Sequence, residues 1–404
     1  MENKKVVLAF SGGLDTSYCA MYLSKEKGLD VYTAIANTGG FSDEELAVIE
    51  EKAYRLGAKK HVAIDVTQQY YKQSIRYMVF GNILRNNTYP ISVSSERIFQ
   101  AMAIIQYARS IGAAYVAHGS TGAGNDQVRF DLTFEVLAPG IKILTPTRDL
   151  ALSREDEINY LKENGYVADF KKMEYSINAG LWGTSVGGKE TLKSEQTLPE
   201  QAYPSPLTKT EPRTLSIRFE KGELVAVDQK RYANPVDAIR ALNALAKGYA
   251  LGRDMHIGDT IIGIKGRVGF EAAAPLIIIK AHHMLEKHTL TKWQLYWKEQ
   301  LGNWYGMFLH EALYLEPVMR DIEKFLENSQ QNVTGDVLIT LRPYHFQLVG
   351  IDSPNDLMKS DFGEYGESNK AWTADDVKGF TKILGTQLKI FNAVNKNFDN
   401  LLHD

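Results

Sequence analysis

A chain of 404 residues sets an expectation of two or three domains, at about 150 residues per domain. Its 44% hydrophobic and 24% charged residues exclude a disordered chain, a collagen and a disulfide-stapled miniprotein. A net charge of −3 disfavours a protein that coats nucleic acid, and the single cysteine, Cys19, forbids an intrachain disulfide and points to a reducing, cytoplasmic setting. The first apolar run, residues 6–10, stops at Ser11. It is too short for a signal segment, and no later run approaches the ~20 apolar residues of a membrane span.

In chain order, residues 5–10 read as a buried strand, followed by a glycine turn and a helical pattern over about 17–27 that ends at Gly28. Residues 31–37 form a second strand. Ser42 and Glu45 make a capping box for a helix reaching Leu56, with Gly57 as a left-handed stop. A strand over 61–66, a helix over 96–111 and a strand over 115–118 come next, and Ser153 with Asp156 caps a helix ending near Gly165. Strands alternating with helices predict an α/β domain with a doubly wound parallel sheet.

Beyond Gly165 the pattern changes to α+β. Glycines and prolines crowd residues 183–212, the mark of a boundary loop or excursion. Residues 215–219 and 224–228 flank a Lys221-Gly222 turn as a hairpin, and Asn234-Pro235 opens a helix. Strands are expected over 260–265, 276–280, 337–341 and 345–349, with Trp293, Trp297 and Trp304 on intervening helices. Thr373 and Asp376 cap a last helix of about seven turns. Its stripe of Val377, Phe380, Leu384, Leu388, Phe391, Val394 and Phe398 either docks on its own domain or packs on a sister subunit. The expected divisions are a nucleotide-binding domain at 1–168, a synthetase and multimerisation domain at 169–360, and a helical arm at 361–404.

Two glycine loops follow predicted strands. Ser11-Gly12-Gly13-Leu14-Asp15-Thr16-Ser17 joins backbone freedom to hydroxyl donors at a helix start, which suits a pyrophosphate. It is not a Walker A loop, and residues 183–189, which mimic one, carry Glu190 where a hydroxyl is required. No dinucleotide fingerprint follows the first strand. The second loop, residues 118–129, holds three glycines with Thr121, Asn125, Asp126 and Arg129; Asp126 suits an amine or magnesium, and Arg129 a carboxylate. In an open parallel sheet both loops lie beyond the strands' carboxyl ends. The other candidates read as structural: His282, His283 and His288 lack metal-ligand spacing, Cys19 is a small buried hydrophobe, and Tyr70, Tyr71, Tyr77 and Phe80 pack a helix.

Residues 7–17, Ala36-Asn37, Tyr89 with Ser94 and Arg97, and residues 118–130 resemble the argininosuccinate synthases, and the likeness runs on through Tyr175-Ser176 and Ser185. The resemblance implies a cytoplasmic ligase of arginine biosynthesis that uses ATP, citrulline and aspartate. The citrulline ureido oxygen attacks the α-phosphate, pyrophosphate leaves, and the aspartate amine displaces AMP from the citrullyl-adenylate. By that likeness Ala9, Phe10, Ser11, Gly12, Gly13, Leu14, Asp15, Thr16, Ser17, Ala36 and Gly119 contact ATP. Thr121, Asn125 and Asp126 hold aspartate, and Tyr89, Ser94, Asn125, Arg129, Ser176 and Ser185 hold citrulline. Asp15 and Asp126 are the catalytic candidates. Mg²⁺ is expected through the ATP phosphates, without a dedicated protein metal site, and the assembly as a homotetramer. Rival readings are an adenylate-forming relative acting on tRNA or another amide, and a non-catalytic nucleotide sensor.

Three positions depart from the resemblance. Asn178-Ala179-Gly180 replaces Asp-Glu-Asn, Gly258 stands where the family has a glutamate of the citrulline site, and Phe270 where it has a tyrosine. Loss of carboxylates removes partners for a cationic α-amine. The alternatives are an Nα-acyl-citrulline in a glycine-lined pocket, or citrulline held by Ser185 or Asp254.

Overall fold

The computed structural model describes residues 3–122, 124–167, 175–359 and 371–395. It divides into two compact units, Met1–Asn355 and Asp356–Asp404.

The first unit begins with a five-stranded sheet in the order β3-β2-β1-β4-β5, every pairing parallel. Its elements are β1 (Lys5–Ala9), α1 (Leu14–Lys25), β2 (Asp30–Asn37), α2 (Asp43–Arg55), β3 (Lys60–Asp65), α3 (Ser92–Ser110), β4 (Tyr115–Ala117), α4 (Asp126–Leu137), β5 (Lys142–Leu144) and α5 (Arg154–Glu163). The central strand is apolar on both sides because both sides are covered. Val6 and Leu8 pack with Tyr18, Cys19 and Ala20 of α1 and Leu161 of α5, while Val7 faces Ile104 and Ile105 of α3 and Phe134 of α4. Both expected capping boxes here are present, Ser42 with Glu45 and Ser153 with Asp156. The chain moves outward from β1 through β2 to β3, then returns to β1's other edge at β4. That reversal opens a crevice above the carboxyl ends of β1 and β4.

The remainder of this unit is antiparallel. A four-stranded sheet, ordered β11-β12-β7-β6, comprises β6 (Ser176–Gly180), β7 (Gly183–Gly187), β11 (Arg253–Asp259) and β12 (Lys265–Glu271). A five-stranded sheet, ordered β10-β9-β8-β13-β14, is built from β8 (Arg213–Glu220), β9 (Glu223–Val227), β10 (Lys230–Arg231), β13 (Gly335–Arg342) and β14 (His345–Asp352). Helices α6 (Pro235–Ala246), α7 (Ala273–Thr289), α8 (Lys292–His310) and α9 (Pro317–Ser329) contribute to one large core with Phe219, Ile277, Tyr305 and Leu326.

Two sequence expectations fail here. The strand expected over 260–265 is absent: Lys265 begins β12, and residues 260–264 are the turn between β11 and β12, closed by the Thr260 amide on the Ile264 carbonyl at 2.8 Å. The apolar Ile262 and Ile264 sit exposed at its tip. Residues 276–280 lie inside α7, where Ile277, Ile278 and Ile279 are all buried; a short apolar run fits a buried helix as well as a strand.

In the second unit, Thr373 and Asp376 form the expected capping box of α10 (Ala374–Leu384), and α11 (Thr386–Asn395) follows. The expected single helix is interrupted at Gly385, whose amide still bonds the Thr381 carbonyl at 2.9 Å. The stripe positions from Val377 to Val394 fall on these two helices; Phe398 lies outside the described residues, as do the expected boundaries at 168/169 and 360/361.

Candidate active site

The loop after β1 makes its turn at Gly12, whose φ of +74° favours glycine, and Lys52 of α2 donates to the Gly12 carbonyl. Gly13 caps α1 without any side-chain acceptor, so the first amides of the helix remain free for an anion. Ser11 Oγ accepts from the Gly13 amide at 3.4 Å. Ser17 is different. Its hydroxyl donates to the Gly13 carbonyl at 2.6 Å and is fully buried, so it braces the loop from behind and does not line the cleft.

The second loop is braced by side chains. His118 Nδ1 accepts from the Ser120 amide at 3.2 Å, which leaves Nε2–H to donate to Asp131 at 2.8 Å. Arg148 joins Asp131 at 2.7 Å to Gln127 at 3.0 Å, and Gln127 in turn donates to the carbonyls of Gly122 and Gly124. The two loops touch at Gly119. A Cβ there would stand 3.1 Å from both the Asp15 carbonyl carbon and the Thr16 nitrogen.

Around them opens a cleft of about 940 Å³. Ala9, Phe10, Ser11, Gly12, Gly13, Leu14, Asp15, Thr16, Ala36 and Gly119 line its β1 side. Thr121, Asn125, Asp126, Arg129, Tyr89 and Ser94 line the β4 side, and Ser176 and Ser185 the antiparallel wall. Asp15 and Asp126 therefore share one crevice. Strand register explains the wall: Asn178 pairs with Ser185 and Ser185 with Phe270, so these side chains and those at alternate positions share one face.

Asp126 is gripped by two guanidiniums, Arg97 Nε at 3.0 Å and Arg129 NH1 at 2.9 Å. Burial pushes its carboxyl upward, but the charges of Arg97 and Arg129 outweigh that and hold it below the ordinary range. Arg97 also donates to Asn178 Oδ1 at 2.8 Å, and Arg129 to the His310 carbonyl at 2.9 Å. Asn125 Oδ1 accepts from the Ile261 amide at 2.8 Å, pinning the unexpected turn to the second loop. Behind Arg97, the fully buried Glu96 accepts from Thr38 Oγ1 at 2.7 Å, and burial pushes its pKa up to about 7.

The departures from the resemblance gain a physical reason. A Cβ at Gly180 would fall 2.0 Å from Glu96 Oε2, and one at Gly258 would fall 2.7 Å from His256 Nε2. Neither glycine opens an empty pocket, as the sequence suggested; Glu96 and His256 fill the space. Phe270 is fully buried, its ring tilted by 52° against that of Tyr89 with centroids 5.3 Å apart. Asp254, offered as a partner for an amine, is not among the cleft-lining residues, whereas Ser185 is. His256, His310, Arg154 and Arg267 also reach the cleft with no motif to announce them, and Asn178 reaches it from the segment that departs from the resemblance. Arg97 was visible only as part of a motif, without a role. The histidine group is structural at His282, which bonds Asn82 Oδ1 at 2.7 Å and Gln330 Oε1 at 2.8 Å inside the core. Cys19 is buried, and burial pushes its thiol up to about 12.

A doubly wound domain with an anion-binding turn at its switch point, closed by an antiparallel wall rich in polar groups, defines an α/β enzyme that binds a nucleotide beside a second substrate. The family model described as the arginosuccinate synthase N-terminal HUP domain matches residues 5–167, and that of the arginosuccinate synthase C-terminal domain matches residues 175–391. The argininosuccinate synthase of Xylella fastidiosa is 35% identical over 409 residues, covering 98% of this chain and 99% of its own length. That of Dictyoglomus turgidum is 37% identical over 389 residues (96% and 97%), and that of Methanocaldococcus jannaschii 34% over 388 residues (95% and 97%). The chain belongs to the argininosuccinate synthase family.

Proposed function

We propose that this cleft joins citrulline to aspartate at the expense of ATP, releasing AMP and pyrophosphate in arginine biosynthesis. The observation that carries the reading is the meeting of the two loops at Gly119 above the sheet's switch point. ATP lies along Ala9–Thr16, Ala36 and Gly119, its phosphates against the free amides at the start of α1. Citrulline lies against Tyr89, Ser94, Arg129, Ser176 and Ser185, its ureido oxygen turned to the α-phosphate. Aspartate is held by Thr121, Asn125 and Asp126, whose carboxylate orients the attacking amine.

No covalent nucleophile is needed. Alignment of the ureido oxygen, phosphorus and leaving pyrophosphate, with fixed donors around the developing charge, is the main source of rate. Mg²⁺ fits as a companion of ATP: Asp15, Ser11 and Thr16 line the cleft and offer hard oxygen donors. When bound it neutralises charge on the leaving pyrophosphate. We assign the nucleotide domain to 1–168, the synthetase domain to 169–360 and an arm to 361–404 whose apolar stripe joins four copies in the cytoplasm. Relatives with the synthase name over nearly the full chain disfavour the tRNA-acting and sensor readings. Pyrophosphate release that requires both aspartate and a citrulline acceptor tests the reading; ATP binding without turnover refutes it.

A further inference from the structure

His256 and Gly258 lie two residues apart on β11 and so project to the same face of the wall. The imidazole lies over the glycine, with Nε2 at 2.7 Å from where a Cβ would stand. It is 5% exposed, stacks on Tyr89 at 5.0 Å and 24°, and lines the cleft. Burial, with help from the Arg85 charge, pushes its pKa down to about 4, so the ring is neutral. A neutral imidazole carries one N–H. Nδ1 is buried with no hydrogen-bond partner, and a stranded donor there is costly. The proton therefore belongs on Nε2, the nitrogen over Gly258.

The charges nearby are wrong for an ammonium. Among the described residues, the acidic side chains lining the cleft are Asp15, Glu45, Asp126 and Asp259. Asp126 is committed to Arg97 and Arg129, one on each oxygen, and what acceptor capacity it keeps is assigned above to the amine of aspartate. Asp259 is 63% exposed and holds Lys265 at 2.6 Å. Glu45 serves the cap of α2, and Asp15 belongs to the triphosphate loop. At the His256 end, an α-ammonium would meet another donor and the field of Arg85 and Arg129, which also lowers the His310 pKa after burial has done most.

We propose that the acceptor this cleft takes best is a citrulline acylated on its α-nitrogen, with His256 Nε2–H donating to the acyl carbonyl. The proposal rests on the ligase reading above and specifies its substrate. Acylation removes the charge that finds no counter-ion here and supplies the acceptor that the imidazole lacks. The ureido group at the other end of the molecule, where adenylation occurs, is unchanged.

The test is steady-state pyrophosphate release by the full chain with saturating ATP and aspartate, comparing citrulline with Nα-acetyl-citrulline. The acetylated form is expected to give at least a ten-fold higher kcat/KM. His256→Ala should lower that value about ten-fold with the KM for ATP unchanged, and His256→Gln, which keeps an N–H, should restore part of it. Equal or higher kcat/KM for unmodified citrulline overturns the proposal, whether or not the variants fold. Turnover with neither acceptor refutes the ligase reading itself and the proposal with it.

Discussion

Gly119→Ala adds one methyl group where the two loops touch. The new Cβ would stand 3.1 Å from the Asp15 carbonyl carbon and the Thr16 nitrogen and 3.2 Å from Asp15 Cβ, against an ordinary carbon contact of about 3.5 Å or more. Two of those atoms are backbone, so relief requires the loops to part by roughly 0.5 Å. In a packed interior such a strain costs about 1 kcal/mol, well within the stability of a large domain. Reactivity is far less forgiving, since a misplacement of about 1 Å can cost on the order of 100-fold. A fall in kcat of about ten-fold is therefore expected, with Tm lowered by only a few degrees. Pyrophosphate release at saturating substrates and a thermal melt measure both. Wild-type kcat with wild-type Tm would show that the two loops need no fixed separation, and the argument built on their contact would fail.

Arg97→Lys keeps the charge but loses the fork that joins Asp126 and Asn178; kcat/KM for aspartate should fall by roughly 100-fold, as varied-aspartate kinetics would show. Glu157 is buried, accepts from Thr147 at 2.9 Å, and has its pKa pushed up to about 7 by burial and by the Asp15 charge. Its unfolded form ionises near pH 4.5 while the folded form keeps its proton, so stability falls as pH rises from about 4.5 to 7. Glu157→Gln should remove this loss and gain on wild type by about 1–3 kcal/mol between pH 5 and 8, read from denaturant midpoints. A pH-independent difference would contradict it. Deleting residues 363–404 should lower the number of subunits per particle measured by light scattering; an unchanged oligomer contradicts an arm that joins subunits.

Much of the nucleotide half was legible because local rules and tertiary context agree there. β1 is apolar at Val6, Val7 and Leu8 and is buried on both faces; Ser42, Glu45, Ser153 and Asp156 write helix starts in the chain itself; Gly12 and Gly119 stand where a turn and a close approach require them. The C-terminal half was less legible. Ile277 and Ile279 suit a strand as well as a helix until the core around them is known, and Ile262 and Ile264 read as part of a strand but sit exposed on a turn. The site divides the same way. Glycine loops reveal themselves by spacing, whereas Asn178, His256 and His310 reach the cleft from elements 49 to 181 residues beyond Arg129, the end of the second loop. What surrounds a side chain is a property of the folded chain. Only the packed structure could therefore decide that His256 stays uncharged, that Glu96 occupies the space beside Gly180, and that Ser17 serves the loop and not the ligand.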